Sequence, residues 1–112
     1  MSTHSLIRLL YVPGDVTEPV RVVEIPRTTE AISGFLGNNR IDRWTCFIDL
    51  GLVAFHSHGM NPRLGRVTGR LGLGDALVGS YSYAGGLLGE TVESVTDEQV
   101  AEIMARIAEA DV

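Results

Sequence analysis

The sequence contains no lysine; all nine of its basic residues are arginine. A GC-rich genome would account for that bias. Its chemical consequence is that every cation is a planar fork suited to bidentate contact with a carboxylate or phosphate. There is a single cysteine, Cys46, which excludes an intramolecular disulfide and with it the small disulfide-stapled scaffolds. No run approaches the ~20 apolar residues that a membrane-crossing helix requires. The best stretch near the start, Leu6 to Val12, is interrupted by Arg8, and the opening residues lack the basic region and cleavage pattern of a secretory signal. These absences create the expectation of a soluble protein in the host-cell cytoplasm with no membrane partner. Positive charge is also short: 14 acids against nine arginines leave a net charge of -5. That balance weighs against charge-driven binding along nucleic acid.

What is present is a chain of 112 residues, enough for one domain (residues 1–112) and too few for a second with its own core. Hydrophobic residues make up 45%, too many for a disordered chain, and the 13 glycines point to tight turns and close backbone approaches. The charge is polarised along the sequence. Residues 1–39 carry three Arg and four acids, residues 40–70 five Arg and two Asp, and residues 71–112 one Arg and eight acids. A basic middle is thus followed by an acidic end.

Periodicity and turn chemistry predict the elements. Ser5 to Val12 and Pro19 to Ile25 read as strands joined through the turn Pro13-Gly14-Asp15, with Pro26 closing the second. Thr28 or Thr29 caps a short helix running to about Leu36, stopped by Gly37. Arg43 to Leu50 and Leu52 to His56 are two further strands, with Trp44, Cys46, Ile48 and Leu50 on one side. Asn61-Pro62 starts a second helix expected to reach Arg70, because Asn caps well and Pro fits the first helical position. Leu71 to Asp75 reads as a turn-rich connector, Ala76 to Ala84 as a strand, and residues 87–95 as room for a short edge strand. Thr96 and Gln99 form a capping box ahead of an amphipathic helix with Val100, Ile103, Met104 and Ile107 on its inner stripe. The expected fold class is α+β: a mixed, mainly antiparallel sheet of about five strands with two short helices and a C-terminal amphipathic helix.

This order of elements resembles a family of phage- and plasmid-encoded proteins known only as a domain of unknown function, number thirty-eight forty-six. The likeness is carried by Ile7-Arg8-Leu9-Leu10-Tyr11-Val12 with Pro13-Gly14, by Asn61-Pro62-Arg63, and by Asp75-Ala76-Leu77-Val78-Gly79 leading into Thr96-Asp97-Glu98-Gln99-Val100. The segment His56-Ser57-His58-Gly59 departs from the family pattern. The resemblance implies the fold and a phage or mobile-element origin, with accessory roles such as host modulation or anti-defence. It implies no catalytic residue.

Several residues carry candidate chemistry. His56 and His58, two apart on a strand, point to one side and can supply two metal ligands, with Asp49 or His4 as further donors; the plainer reading is a pair of exposed polar residues at a strand end. Arg63, Arg66 and Arg70 share the spacing of one helix face, and Arg40 and Arg43 can join them. Such a cluster either grips an anionic ligand or carboxylate-rich partner, or answers Glu90, Glu93, Glu98 and Glu102 within the molecule or across a dimer. The glycine-rich runs 71–75 and 85–89 fit no nucleotide fingerprint and read as turns. Tyr81 and Tyr83 share a strand face that suits core packing better than base stacking, and Cys46, mid-strand among apolar neighbours, reads as an inert thiol.

The leading expectation is a non-enzymatic accessory protein, without cofactor, that docks to a host protein through the basic 40–70 region or the acidic C-terminal helix. The alternatives are a binder of an anionic nucleotide or other small ligand in the arginine cluster, and a metal-dependent enzyme using His56 and His58. A homodimer is expected on general grounds for so small a domain.

Overall fold

In the first segment, apolar side chains stand on both faces of the backbone, the pattern of a strand covered on both sides. The computed structural model bears this out; it describes residues 6–37, 41–46, 50–82 and 91–110, with the side chains of residues 44–46, 82 and 91 outside the description. Strands β1 (Leu6–Val12), β2 (Arg21–Pro26), β3 (Asp42–Cys46), β4 (Leu52–His58), β5 (Leu73–Ser82) and β6 (Thr91–Glu93) alternate with helices α1 (Thr29–Leu36), α2 (Pro62–Thr68) and α3 (Asp97–Ala110). The sheet runs β2-β1-β5-β4-β3, and β6 pairs with β5. Every described pairing is antiparallel. The architecture is therefore the expected α+β fold, and in the stretch 87–95, where the sequence left room for a short edge strand, Thr91–Glu93 form β6.

Central β5 organises the sheet. Along one edge it meets β4 from Leu52↔Ser80 to His56↔Ala76. Along the other it meets β1 at Val78, Leu77 and Ala76, and then β6 at Ser80, Tyr81 and Ser82. Gly79 marks the handover between β1 and β6. A Cβ there would lie 2.5 Å from Val92 Cγ1 and 2.8 Å from Leu9 Cδ2, so a bare backbone is what lets both strands close on β5.

Two apolar clusters flank the sheet. Leu10, Val12, Leu52, Ala54, Ala76 and Val78 pack under Leu64 of α2 and Ile103 of α3. Ile7, Leu9, Tyr11, Ile25 and Leu77 pack under Leu36 of α1, with Phe35 beside them. The result is three layers: α1, the sheet, and the pair α2 and α3.

Local signals set the helix ends. Thr28 Oγ1 accepts from Ala31 N at 3.0 Å, and Gly37 closes α1 in the left-handed region at φ 64°. At α3, Thr96 Oγ1 accepts from Gln99 N at 3.1 Å while Gln99 Oε1 accepts from Thr96 N at 2.9 Å, the predicted capping box. Gln99 Nε2 also donates to Leu50 O and Ser80 Oγ, which ties the start of α3 to the sheet.

Several boundaries differ from expectation: β2 begins at Arg21 rather than Pro19, and β4 runs on to His58 rather than ending at His56. Pro26 lies inside β2, paired with Leu6, where a missing N–H is tolerated on an outer strand. Strand β3 is described over Asp42–Cys46, Phe47 to Asp49 lie outside the described residues, and Leu50 is not part of a strand. Helix α2 stops at Thr68 rather than Arg70, because Gly69 adopts φ 72° and donates to Gly65 O at 2.7 Å. The run 71–75 is not wholly a connector: β5 begins at Leu73, and one extra residue between its pairings with His58 and His56 makes a β-bulge.

Tyr11 gives a pH handle on this core. Its ring meets Phe35 edge-on at 4.9 Å, with the Arg21 guanidinium 4.9 Å above it. Burial, then the negative charges of Asp75 and Glu18, push the phenol above its ordinary 10.0, and Arg21 opposes them more weakly. The fold thus keeps this proton at a pH where the unfolded chain has released it, so stability falls as pH rises past about 10. Denaturant midpoints measured from neutral pH to about pH 11 should fall less steeply for Tyr11→Phe than for the parent protein.

Candidate functional site

The segment Asn61-Pro62-Arg63 sits where the β1–β2 loop meets the start of β5. Asn61 is buried. Its Oδ1 accepts from Leu64 N at 3.2 Å, the predicted helix cap, while its Nδ2 donates to Val12 O at 2.9 Å and Gly74 O at 3.0 Å. One amide therefore ties α2 to two strands at once. The bulge in β5 turns Asp75 so that its Oδ1 accepts from Gly14 N at 2.7 Å. Arg63 donates from Nη1 to Pro13 O at 3.4 Å and from Nη2 to Val16 O at 2.5 Å and to Glu18 O. Its fork gathers the carbonyls of the β1–β2 loop, which turn toward it because the loop has no ladder of its own. In the same loop, Asp15 accepts from both the Thr17 hydroxyl and the Thr17 backbone, which hold its carboxyl below the usual range.

The predicted arginine cluster is divided by this geometry. Arg63 serves the loop. Arg66 and Arg70 line a cleft of about 280 Å³ together with Met60, Gly65, Leu71 and Leu73. Arg43 stands on the opposite side of the sheet, its guanidinium 5.9 Å from both the Phe55 and Tyr81 ring centres. Strand alternation explains the split: Asp42 and His56 share the face toward α2 and α3, so Arg43 and its partner Phe55 face α1. Arg40 lies outside the described residues. Of the predicted acidic partners, Glu93 pairs with Arg27 at 3.3 Å and Glu102 with Arg106 at 3.3 Å, while Asp97 pairs with Arg8 at 2.7 Å. Glu90 lies outside the described residues.

His56 and His58 do end up near one another, with ring centres 6.4 Å apart. Their environments differ. His58 is exposed, and its Nε2 is 2.9 Å from Asp42 Oδ2. His56 is buried, with Nδ1 3.1 Å from Ser57 O, which assigns the proton to Nδ1. Its Nε2 is buried and makes no hydrogen bond among the described residues. Among those residues no three His, Cys, Asp or Glu gather as a metal site. His4 and Asp49, the other predicted donors, lie outside the description, as do the side chain of Cys46, Tyr83 and the run 85–89.

Sequence reasoning overlooked a groove of about 420 Å³ between α1 and the sheet, rimmed by Arg27 and Arg43 and floored by Ile7 and Phe55. Its residues come from segments far apart in the chain and carry no common motif.

Fold and site together define a small antiparallel α+β domain with surface clefts on both sides of its sheet. No protein-family model matches the chain, and no curated protein sequence matches it. Among solved structures it is similar to the crystal structure of small RNA methyltransferase HEN1, with a TM-score of 0.62 and 16% sequence identity. The match covers 93% of this chain and 16% of that one, so this chain corresponds to about one sixth of the larger protein. At that identity the likeness concerns the fold alone. Among the described residues no helix is long and apolar enough to cross a membrane.

Proposed function

We propose that this domain is a non-enzymatic docking module that binds an acidic segment of a host protein. In this reading it serves the phage or mobile element to which the sequence resemblance points. The observation that carries it is the surface at the end of α2. Among the described residues the two most exposed large hydrophobic side chains, Leu71 at 91% and Met60 at 81%, line the same cleft as Arg66 and Arg70. Single exposed apolar residues are ordinary on a protein surface; a pair bordering an apolar cleft with cations beside it is a common form of docking site. An apolar side chain of the partner would enter between Met60 and Leu71, and its neighbouring carboxylates would meet the two forks. The basic balance of residues 40–70 favours such a partner and speeds its approach.

Affinity capture from host lysate tests this when paired with two variants. Met60→Ser with Leu71→Ser removes the apolar anchors, and Arg66→Glu with Arg70→Glu reverses the charge. Arg63 stays in place because it holds the β1–β2 loop. The expected result is one salt-sensitive partner whose capture falls at least about tenfold with either variant. Capture unchanged by both variants would show that this surface is not the contact.

A further inference from the structure

The groove beneath α1 lies on the other side of the sheet from the docking cleft, and no residue lines both. Its volume of about 420 Å³ falls in the range of sites that hold small organic molecules. Ile7 of β1 and Phe55 of β4 form an apolar floor, and Ile32 of α1 forms a wall. That lining favours an uncharged body, and the ring of Phe55 favours a flat one.

The rim has a different chemistry. Arg27 is anchored at β6, donating from Nη1 to Val92 O at 3.2 Å and from Nη2 to Glu93 at 3.3 Å. Arg43 is held over the Phe55 and Tyr81 rings. Neither head has to be ordered from a free rotamer when a ligand arrives, which lowers the entropic cost of binding. A guanidinium has five N–H donors, so an anion can share Arg27 with its present partners. The pair with Glu93 is about half exposed and holds the arginine only weakly against such a newcomer. Ser33 lines the groove on the α1 side.

We infer that this groove binds a small amphipathic anion: a flat ring seated over Phe55 and Ile7 and bearing one carboxylate or phosphate held between Arg27 and Arg43. An aromatic carboxylate and a nucleoside monophosphate share that chemistry. The inference does not rest on the docking surface, and each can fail without the other.

The test uses the full chain with its isoleucine methyls labelled. Naphthoate and adenosine monophosphate are titrated separately, with neutral naphthamide as the control. At least one of the two anions should shift the Ile7 and Ile32 methyl signals saturably, and which one does so identifies the source of the ligand. Naphthamide should bind at least about tenfold more weakly, as should the better anion to Arg27→Gln combined with Arg43→Gln. Ser33→Trp keeps both charges and fills the groove, and it should remove binding while leaving the amide spectrum folded. If Arg43→Gln unfolds the protein, Arg27→Gln and Ser33→Trp carry the comparison. The inference is overturned if neither anion shifts these methyls at millimolar concentration. It is equally overturned if naphthamide binds as well as naphthoate, or if binding survives Ser33→Trp.

Discussion

Asn61→Ala should be among the most damaging single substitutions in this domain, lowering stability by about 3–5 kcal/mol. The side chain makes three hydrogen bonds from a buried position, two as donor to Val12 O and Gly74 O and one as acceptor from Leu64 N. Alanine leaves two carbonyls and a helix N–H without that partner, and each buried group so stranded costs about 1–3 kcal/mol. Asn61→Asp separates the two duties of the residue. Aspartate caps helices as well as asparagine does, so a residue that only capped α2 would tolerate it. Here the carboxylate would replace a donor facing two carbonyl oxygens. The expected outcome is that Asp is at least as damaging as Ala at neutral pH, with both midpoints about 10 °C or more below the parent. Calorimetry of the three proteins decides it; an aspartate variant as stable as the parent would reduce Asn61 to a cap.

The second large effect is Gly14→Ala. Gly14 does not have a positive φ, so its requirement is spatial rather than torsional. A Cβ there would intrude on Met60 O and stand 3.3 Å from Asp75 Oδ1. Met60 O belongs to the backbone just before Asn61, and Asp75 is the acceptor for Gly14's own N–H. Neither can retreat without loosening the junction that Asn61 holds together. Overpacking of this kind costs about 1–3 kcal/mol. The control is the same substitution at Gly34, inside α1 with no heavy atom within 4 Å of the added Cβ. Gly34→Ala should stabilise the fold by about 0.5–1 kcal/mol, since alanine restricts the unfolded chain and favours the helix. Urea titrations of the two variants should therefore move in opposite directions from the parent midpoint.

Features determined within a few residues were legible in the sequence. The Thr28 cap, the Asn61 cap and the reciprocal Thr96–Gln99 box depend on partners three residues away, and all three are present. What escaped was non-local. Nothing in the sequence relates Asn61 to Val12 O, 49 residues earlier, or Arg63 to the carbonyls of the β1–β2 loop. Helical spacing grouped Arg63 with Arg66 correctly on α2, but the side chains serve different neighbours, and Gly69 ends the helix before Arg70. Strand parity alone would have set Arg43 opposite Asp42. Which face each one took depended on where α1 packed. The run 71–75 looked like a loop because of its glycines, whereas Gly74 is needed for a bulged strand: a Cβ there would press on the carbonyls of Ser57 and His58 at 3.0 and 3.1 Å.

The handover at Gly79 bears on how the chain must be assembled during synthesis. Of the described strands the earliest in the sequence, β1, is an inner one, and its second neighbour is β5, beginning at Leu73. Until that segment emerges, the β1–β2 hairpin presents an unpaired apolar edge. The last stitch joins Arg8 to Ser94 and Val95, almost the full length of the fold apart. Topology of this kind delays closure of the sheet until the segment through Val95 is available. That edge is therefore exposed in the nascent domain for an interval set by translation rate rather than by the stability of the finished fold.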